Sequence, residues 1–378
     1  MRFPEFKGEW ENTSLGKIGK TFNGLTGKSG SDFGQGFPYI TYKSIFDDSK
    51  IDISRVEYVE ITDVERKKET QNKVQYGDVF FTTSSETPDE VGMSSVLLDE
   101  IKDCYLNSFC FGYRLNSLSK TTPEYMRFYL RSQTIRKKMF VLAQGSTRFN
   151  ISKSEVMGMS INIPEIEEQR KIANLLTLLD DRIATQNKII ERLETLIKAI
   201  GKTLLGESDK YMYLGDLCDI KKGTQINKSA LSNKGPYYVM NGGIVPSGYY
   251  DLYNTNANTI SISEGGNSCG YVQYNYTPFW SGGHCYTLEN ISPEVDCRYL
   301  FHYLKANELE IMSLRIGSGL PNIQKKDLSL FRIPLPTWKN QKTVARSLDL
   351  LLYKIVVEQN TLQGHKLQKA YLLQQMFI

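Results

Sequence analysis

The second half of this chain repeats the first at a fixed offset. Gly145-Ser146-Thr147-Arg148-Phe149-Asn150-Ile151 returns as Gly317-Ser318-Gly319-Leu320-Pro321-Asn322-Ile323, and Asn150 to Asn322 is a shift of 172 residues. The shift persists without a gap through Ile161/Ile333, Pro164/Pro336, Gln169/Gln341, Ala173/Ala345, Leu176/Leu348, Leu179/Leu351 and Ile183/Ile355. An internal repeat constrains architecture more than any local pattern. It predicts two similar modules, each a globular part followed by a helix, and 378 residues suffice for both.

The globular parts read as short strands between turns. Tyr39–Tyr42, Val56–Ile61, Asp78–Thr83 and Phe109–Tyr113 carry the β-branched and aromatic bias of strands, as do Tyr237–Met240, Thr259–Ile262 and Cys285–Leu288. Tyr125–Leu130 and Tyr299–Leu304 place apolar groups at helical spacing and lead into the Gly-Ser loops. The expected class is α+β, with a first strand-rich module at 1–163, a helix at 164–207, a second module at 208–335 and a second helix at 336–378.

Both helices carry heptads. Ile172, Leu176, Leu179, Ile183, Gln186, Ile190, Leu193, Ile197, Ile200 and Leu204 alternate steps of four and three, so they line one seam. Glu165, Glu167 and Glu168 occupy the first turn, where a helix N-terminus favours negative charge. The copy runs through Val344, Leu348, Leu351, Ile355 and Leu362 to Leu372 and Met376, with Glu358, His365 and Lys369 interrupting the seam. About 40 helical residues span roughly 60 Å. Each seam needs a partner, and the nearest is the other; parallel and antiparallel pairing both remain open.

Composition excludes more than it selects. No run of about 18 apolar residues offers a membrane span, and Arg2-Phe3-Pro4-Glu5-Phe6-Lys7 lacks the apolar core of a signal peptide, so the expected location is cytoplasmic, with no membrane partner. Cys104, Cys110, Cys218, Cys269, Cys285 and Cys297 form no C-x-x-C pair, which argues against a metal site; His284 beside Cys285 is the one hint of a ligand pair. The net charge of +4 permits a polyanionic partner without requiring one.

The order of a strand-rich module, a Gly-Ser loop, Ile-x-Ile-Pro or Ile-Pro-Leu-Pro, Glu-Gln-Arg or Asn-Gln-Lys, then a leucine heptad, occurring twice, resembles the specificity subunit of type I restriction-modification systems. The match is sharpest over Gln144–Ile200 and Ile316–Leu352. In the recognition modules it extends to the early loops Gly24-Leu25-Thr26-Gly27 and Gly223-Thr224-Gln225. The resemblance implies two target recognition domains, and two helices paired as an antiparallel coiled coil with pseudo-two-fold symmetry. It further implies a non-catalytic subunit that reads an asymmetric two-part site on double-stranded DNA, one half-site per domain, with the coiled coil setting the spacer. The implied partners are two modification subunits, which methylate adenine, and through them two restriction subunits, which cleave unmodified DNA. S-adenosylmethionine, ATP and magnesium would then belong to those partners, and this chain would bind no cofactor.

On that reading base edges give specificity and phosphates give most of the affinity. Residue type and loop position nominate Lys28, Lys43, Ser84, Ser85, Arg148 and Lys153 in the first module, and Lys221, Lys222, Lys228, Asn241, Asn322, Lys325 and Lys326 in the second. The apolar seam positions Ile172, Leu176, Leu179, Ile183, Ile190, Leu193, Ile197, Val344, Leu348, Leu351, Ile355 and Leu362 are expected to join the helices, whose outer faces would dock the partner subunits.

Other chemistries fare worse. No Pro-Pro pair exists to form the Asn-Pro-Pro-Tyr motif of amino-group DNA methyltransferases. Thr26-Gly27-Lys28-Ser29 ends like a phosphate-binding loop, but the full pattern puts its first glycine at Phe22. Asp89 followed by Glu100-Ile101-Lys102 fits a loose magnesium-nuclease arrangement, one alternative reading. A coiled-coil scaffold or interaction protein is the other.

Overall fold

The computed structural model describes all residues except Met1, 69–71, Ser119, 206–207, Ser318, Leu320 and Ile378, so two residues of the second Gly-Ser loop lie outside the described residues. The chain divides into two compact units, Met1–Thr185 with Leu362–Ile378, and Gln186–Thr361. Both divisions fall inside the long helices Ile166–Leu204 and Trp338–Met376, of 39 residues each.

The first unit is built on a four-stranded antiparallel sheet in the order Gly19–Asn23, Cys110–Leu115, Val79–Thr82, Ser94–Val96. Beside it, Phe33–Ile40 pairs antiparallel with Glu57–Val59 and parallel with Tyr105–Leu106. Glu11–Ser14 pairs with Ser160–Ile163, which brings the start of the module to the foot of the long helix. The second unit repeats each piece. Its four-stranded sheet runs Asp219–Lys222, Cys285–Glu289, Thr259–Ser263, Val272–Asn275; Tyr237–Met240 pairs antiparallel with Gly248–Tyr250 and parallel with Trp280–Ser281; and Tyr211–Tyr213 closes on Arg332–Pro334.

The central strands explain why the sequence shows runs rather than alternation. Val79–Thr82 and Thr259–Ser263 are buried at every residue, as strands covered on both faces must be. The core of the first unit gathers Leu15, Phe81, Phe111, Tyr113 and Tyr129 with Ile172 and Leu176 of the long helix. That of the second gathers Leu214, Ile260, Ile262, Tyr299 and Leu300 with Val344 and Leu348.

The repeated Pro-x4-Gln has a structural cause. Gln169, fully buried, donates from Nε2 to the carbonyls of Pro164 (2.8 Å) and Lys120 (2.8 Å), and its Oε1 accepts from the Thr122 N–H at 3.2 Å. Gln341 does the same with Pro336 (3.0 Å), Glu294 (3.1 Å) and the Asp296 N–H (2.8 Å). Thr122 and Asp296 are the N-caps of the short helices Pro123–Tyr129 and Cys297–Ala306. Each glutamine therefore fastens a long helix to the cap of the helix packed on it. Polar pairs fasten it again: Arg127 to Asp180 at 2.6 Å, Arg298 to Asp349, and the His302 imidazole, whose burial lowers its pKa, in a hydrogen bond to Asp349 at 2.7 Å.

Within each unit the long helices run antiparallel. In the first, Lys369 pairs with Asp180, while Met376 and Phe377 join the cluster of Ile172 and Leu176. In the second, Gln186 meets Glu358, and Ile197 and Ile200 reach Leu348 and Leu352. The seam differs from the expected one. Ile172, Leu176, Leu179, Ile190, Val344, Leu348 and Ile355 are buried, several of them on the sheet module as much as on the other helix, whereas Ile183, Leu193, Ile197, Leu351 and Leu362 are half-buried. Two of the polar residues expected to interrupt the seam are paired: Glu358 with Gln186 and Lys354, Lys369 with Asp180. No helix among the described residues is long and apolar enough to cross a membrane.

Candidate nucleic-acid interface

The repeated loops close into the same hairpin. Gln144 and Asn150 exchange both backbone hydrogen bonds, at 2.9 and 2.8 Å, and Ile316 and Asn322 do so at 2.8 and 3.0 Å. Gly145 and Gly317 start each turn at φ +134° and +102°, which side chains rarely adopt. The hairpin then lies at the end of a central strand: Ile151 N–H donates to Thr83 O (3.0 Å) and Ile323 N–H to Glu264 O (2.8 Å).

Four more loops converge at that strand end in both units, marked by matched backbone bonds. The Thr83 N–H donates to Phe109 O (3.0 Å), as the Glu264 N–H does to His284 O (2.9 Å). Asn107 N–H reaches Ile40 O (3.0 Å), as Gly282 N–H reaches Met240 O (2.8 Å). Leu25 N–H reaches Leu106 O (2.7 Å), as Thr224 N–H reaches Ser281 O (2.8 Å). The preceding glycines cannot be replaced freely. A Cβ on Gly24 would sit 2.0 Å from Asn107 O, and one on Gly223 2.3 Å from Gly282 O. The Gly-x-Thr resemblance thus corresponds to the same turn in both units.

In the first unit Lys43, Arg148 and Lys153 stand on or next to these loops. Lys43 is exposed in the helix Tyr42–Asp47, whose Tyr42 hydroxyl donates to Ser84 O at 2.6 Å. Arg148 is exposed on the hairpin. Lys153 opens the helix Lys153–Gly158, its ammonium on Asn23 Oδ1 and 5.8 Å from the Phe111 ring, and burial pulls its pKa down. Two expectations need correction. Ser84 and Ser85 are not loop residues: they form a strand against Phe149–Asn150 and are 5% and 6% exposed. Lys28 is not an open surface cation, because its side chain is 8% exposed and held by Glu65 at 2.8 Å; that hydrogen bond, first among the causes, brings the Glu65 carboxyl down to about 2.

In the second unit the same loops gather Lys222, Asn241, Asn322, Lys325 and, next in the chain, Lys326. Lys222 is tied to Glu264 at 2.6 Å, and Asn241 Oδ1 accepts from the His284 N–H at 3.2 Å. Asn322, Lys325 and Lys326 are exposed, and Lys325 occupies the position of Lys153 after the shift of 172 residues. Strand alternation sends Lys221 to the other face, where Glu289 meets it at 3.4 Å, and Lys228 is exposed on its own turn, Lys228–Ala230. Residue type alone missed Phe109, Glu264 and His284. Their signal was positional, since Phe109-Cys110 and His284-Cys285 open matching strands.

Among the described residues no group of three His, Cys, Asp or Glu side chains could hold a metal. Asp89 and Glu100, the acidic pair of the nuclease reading, are both exposed. The six cysteines are free, five of them buried, and burial pushes the Cys285 thiol up to about 11, while its neighbour His284 is exposed.

Residues 7–195 and 208–364 match the family model described as the type I restriction modification DNA specificity domain. The chain belongs to that family. Among type I specificity relatives, a protein of Mycoplasma pneumoniae named as a type I specificity subunit is 38% identical over 144 residues, 38% of each chain. One from Methanocaldococcus jannaschii, named as the specificity subunit of a type I restriction enzyme, is 26% identical over 385 residues, 91% of this chain and 87% of the relative. The chain thus spans little more than a third of the first relative's length but most of the second's. The crystal structure of the type I S subunit from M. genitalium has the same fold, with a TM-score of 0.68 over 100% of this chain and 97% of that one, at 16% identity.

Proposed function

We propose that the chain is the non-catalytic DNA-reading subunit of a type I restriction-modification complex, each unit reading one half of a two-part, asymmetric target. One observation carries the reading: five equivalent loops converge in each unit on the same backbone frame, yet present different side chains. Equal frames with unequal surfaces suit two unlike half-sites. Exposed Lys43 and Arg148 in one unit, and Lys325 and Lys326 in the other, suit phosphate contacts beside the base-reading loops.

In this reading the paired helices fix the spacer and their outer faces dock two modification subunits, through which two restriction subunits join. Adenine methylation would draw on S-adenosylmethionine, and cleavage on ATP and magnesium, all on the partners. Co-expression with the modification subunit followed by genome-wide mapping of methylated adenines tests the proposal. The expected map is one asymmetric motif with a fixed gap; a continuous motif, or none, would refute it.

A further inference from the structure

Phe109 and His284 occupy one position of the repeated frame. Each ends a tight turn before the strand that begins at Cys110 or Cys285, and each carbonyl accepts from the backbone N–H of the residue that follows a central strand, Thr83 or Glu264. Each points a large side chain outward: Phe109 is 60% exposed and the His284 side chain 61%. The two side chains thus present an apolar ring in one unit and a hydrogen-bonding ring in the other at the same place.

The residues behind them differ in kind. The Thr83 hydroxyl is satisfied by Phe109 O at 2.8 Å. Glu264 is 7% exposed; its Oε1 accepts from Lys222 at 2.6 Å and from the Tyr286 hydroxyl at 3.2 Å, while its buried Oε2 has no hydrogen-bond partner and faces His284 Nδ1 at 3.8 Å. A buried carboxylate oxygen left unpaired is costly, and the imidazole is the group placed to answer it. A carboxylate on the Nδ1 side favours the proton there, which leaves Nε2 outward as an acceptor.

Building on the function proposed above, we infer that Phe109 and His284 are the position at which the two units read different bases. His284 Nε2 accepts from the amino group of a cytosine or adenine in the major groove, and Glu264 is its positioning residue. Phe109 meets the methyl group of a thymine. The two half-sites differ here because one side chain accepts a hydrogen bond and the other makes only apolar contact.

Selection of randomised duplex DNA by the complex of the full chain with its modification subunit tests this, reading base frequencies across both half-sites. His284→Ala should lower the preference for the amino-bearing base at one position of one half-site by roughly fivefold to tenfold, with the other half-site unchanged. Phe109→Ala should relax a thymine of the opposite half-site. Glu264→Gln keeps the shape and removes the charge; it should alter the position that His284 reads, whereas a merely structural role would weaken all sequences without changing base preference. The untouched half-site shows in each case that the variant is folded. Unchanged base frequencies in His284→Ala and Phe109→Ala, or equal relaxation of both half-sites, would overturn the inference while leaving DNA reading intact. A wild-type complex without any base preference would overturn the function on which it rests.

Discussion

Gln186 and Glu358 are the same residue of the repeat, 172 positions apart, and they meet each other: Gln186 Nε2 donates to the Glu358 carboxylate and, at 3.2 Å, to its carbonyl. Two antiparallel helices bring equivalent positions face to face at one level, and this is that level. Lys354 and then Gln186 hold the Glu358 carboxyl below its usual range. A polar pair on an apolar seam fixes register at the expense of stability. Gln186→Leu, which leaves the Glu358 carboxylate to Lys354 alone, and Glu358→Leu, which leaves the Gln186 amide only the backbone carbonyl of position 358, should each lower Tm by about 2–4 °C. The double leucine variant should recover that loss with a less unique register, seen as broadened unfolding in calorimetry.

The buried glutamines predict a second effect. Gln169→Ala strands the Thr122 N–H and two carbonyls, and Gln341→Ala strands the Asp296 N–H. Each should cost about 1–3 kcal/mol in denaturant unfolding, and a loss well under that range would mean that water takes over the bonds.

Phe377 packs against the stacked pair Tyr125 and Tyr129, with ring centroids 5.7 Å from each, and is 2% exposed. Phe377→Ala should destabilise the first unit by about 3–5 kcal/mol. Hydrogen exchange would localise the loss there, with the second unit protected as before.

The Lys28–Glu65 pair gives a pH dependence with a defined sign. Glu65 titrates near 2 instead of 4.5, so its contribution is present above pH 4.5 and fades as the pH falls toward 2. The Lys28 hydrogen bond is the largest cause and those from Thr62 are next; Lys28→Ala should therefore return the carboxyl part of the way to 4.5 in an NMR titration. No movement would show that Thr62 alone holds it.

For DNA binding, Lys43→Ala, Arg148→Ala and Lys325→Ala should each weaken all sequences alike and reduce the salt slope of log K by about 0.9 for each phosphate no longer neutralised. A change of base preference in any of them would move that residue from backbone binding to base reading.

The repeat, the strands and the long helices were legible because they rest on periodicity and on residue types, which a linear sequence displays. Pro164-to-Gln169 and Pro336-to-Gln341 were visible as matching letters, although their role in tying helix caps emerges only with three-dimensional partners. The site was read less well. Lys28 looks free until Glu65 folds onto it, and Ser84 and Ser85 look like a loop until Phe149 and Asn150 pair with them. Phe109 and His284 share a place in the frame but not a residue type, and their segments are offset from each other by a different number of residues than the helices are. A search for basic side chains therefore passes them by.

Because residues 362–378 complete the unit that begins the chain, that unit cannot be finished during synthesis when its own strands leave the ribosome. The second unit emerges before the tyrosines at 125 and 129 receive their aromatic neighbour from position 377. The half made first is sealed last, and a nascent chain stalled before its final turns would leave an apolar opening for a chaperone to hold.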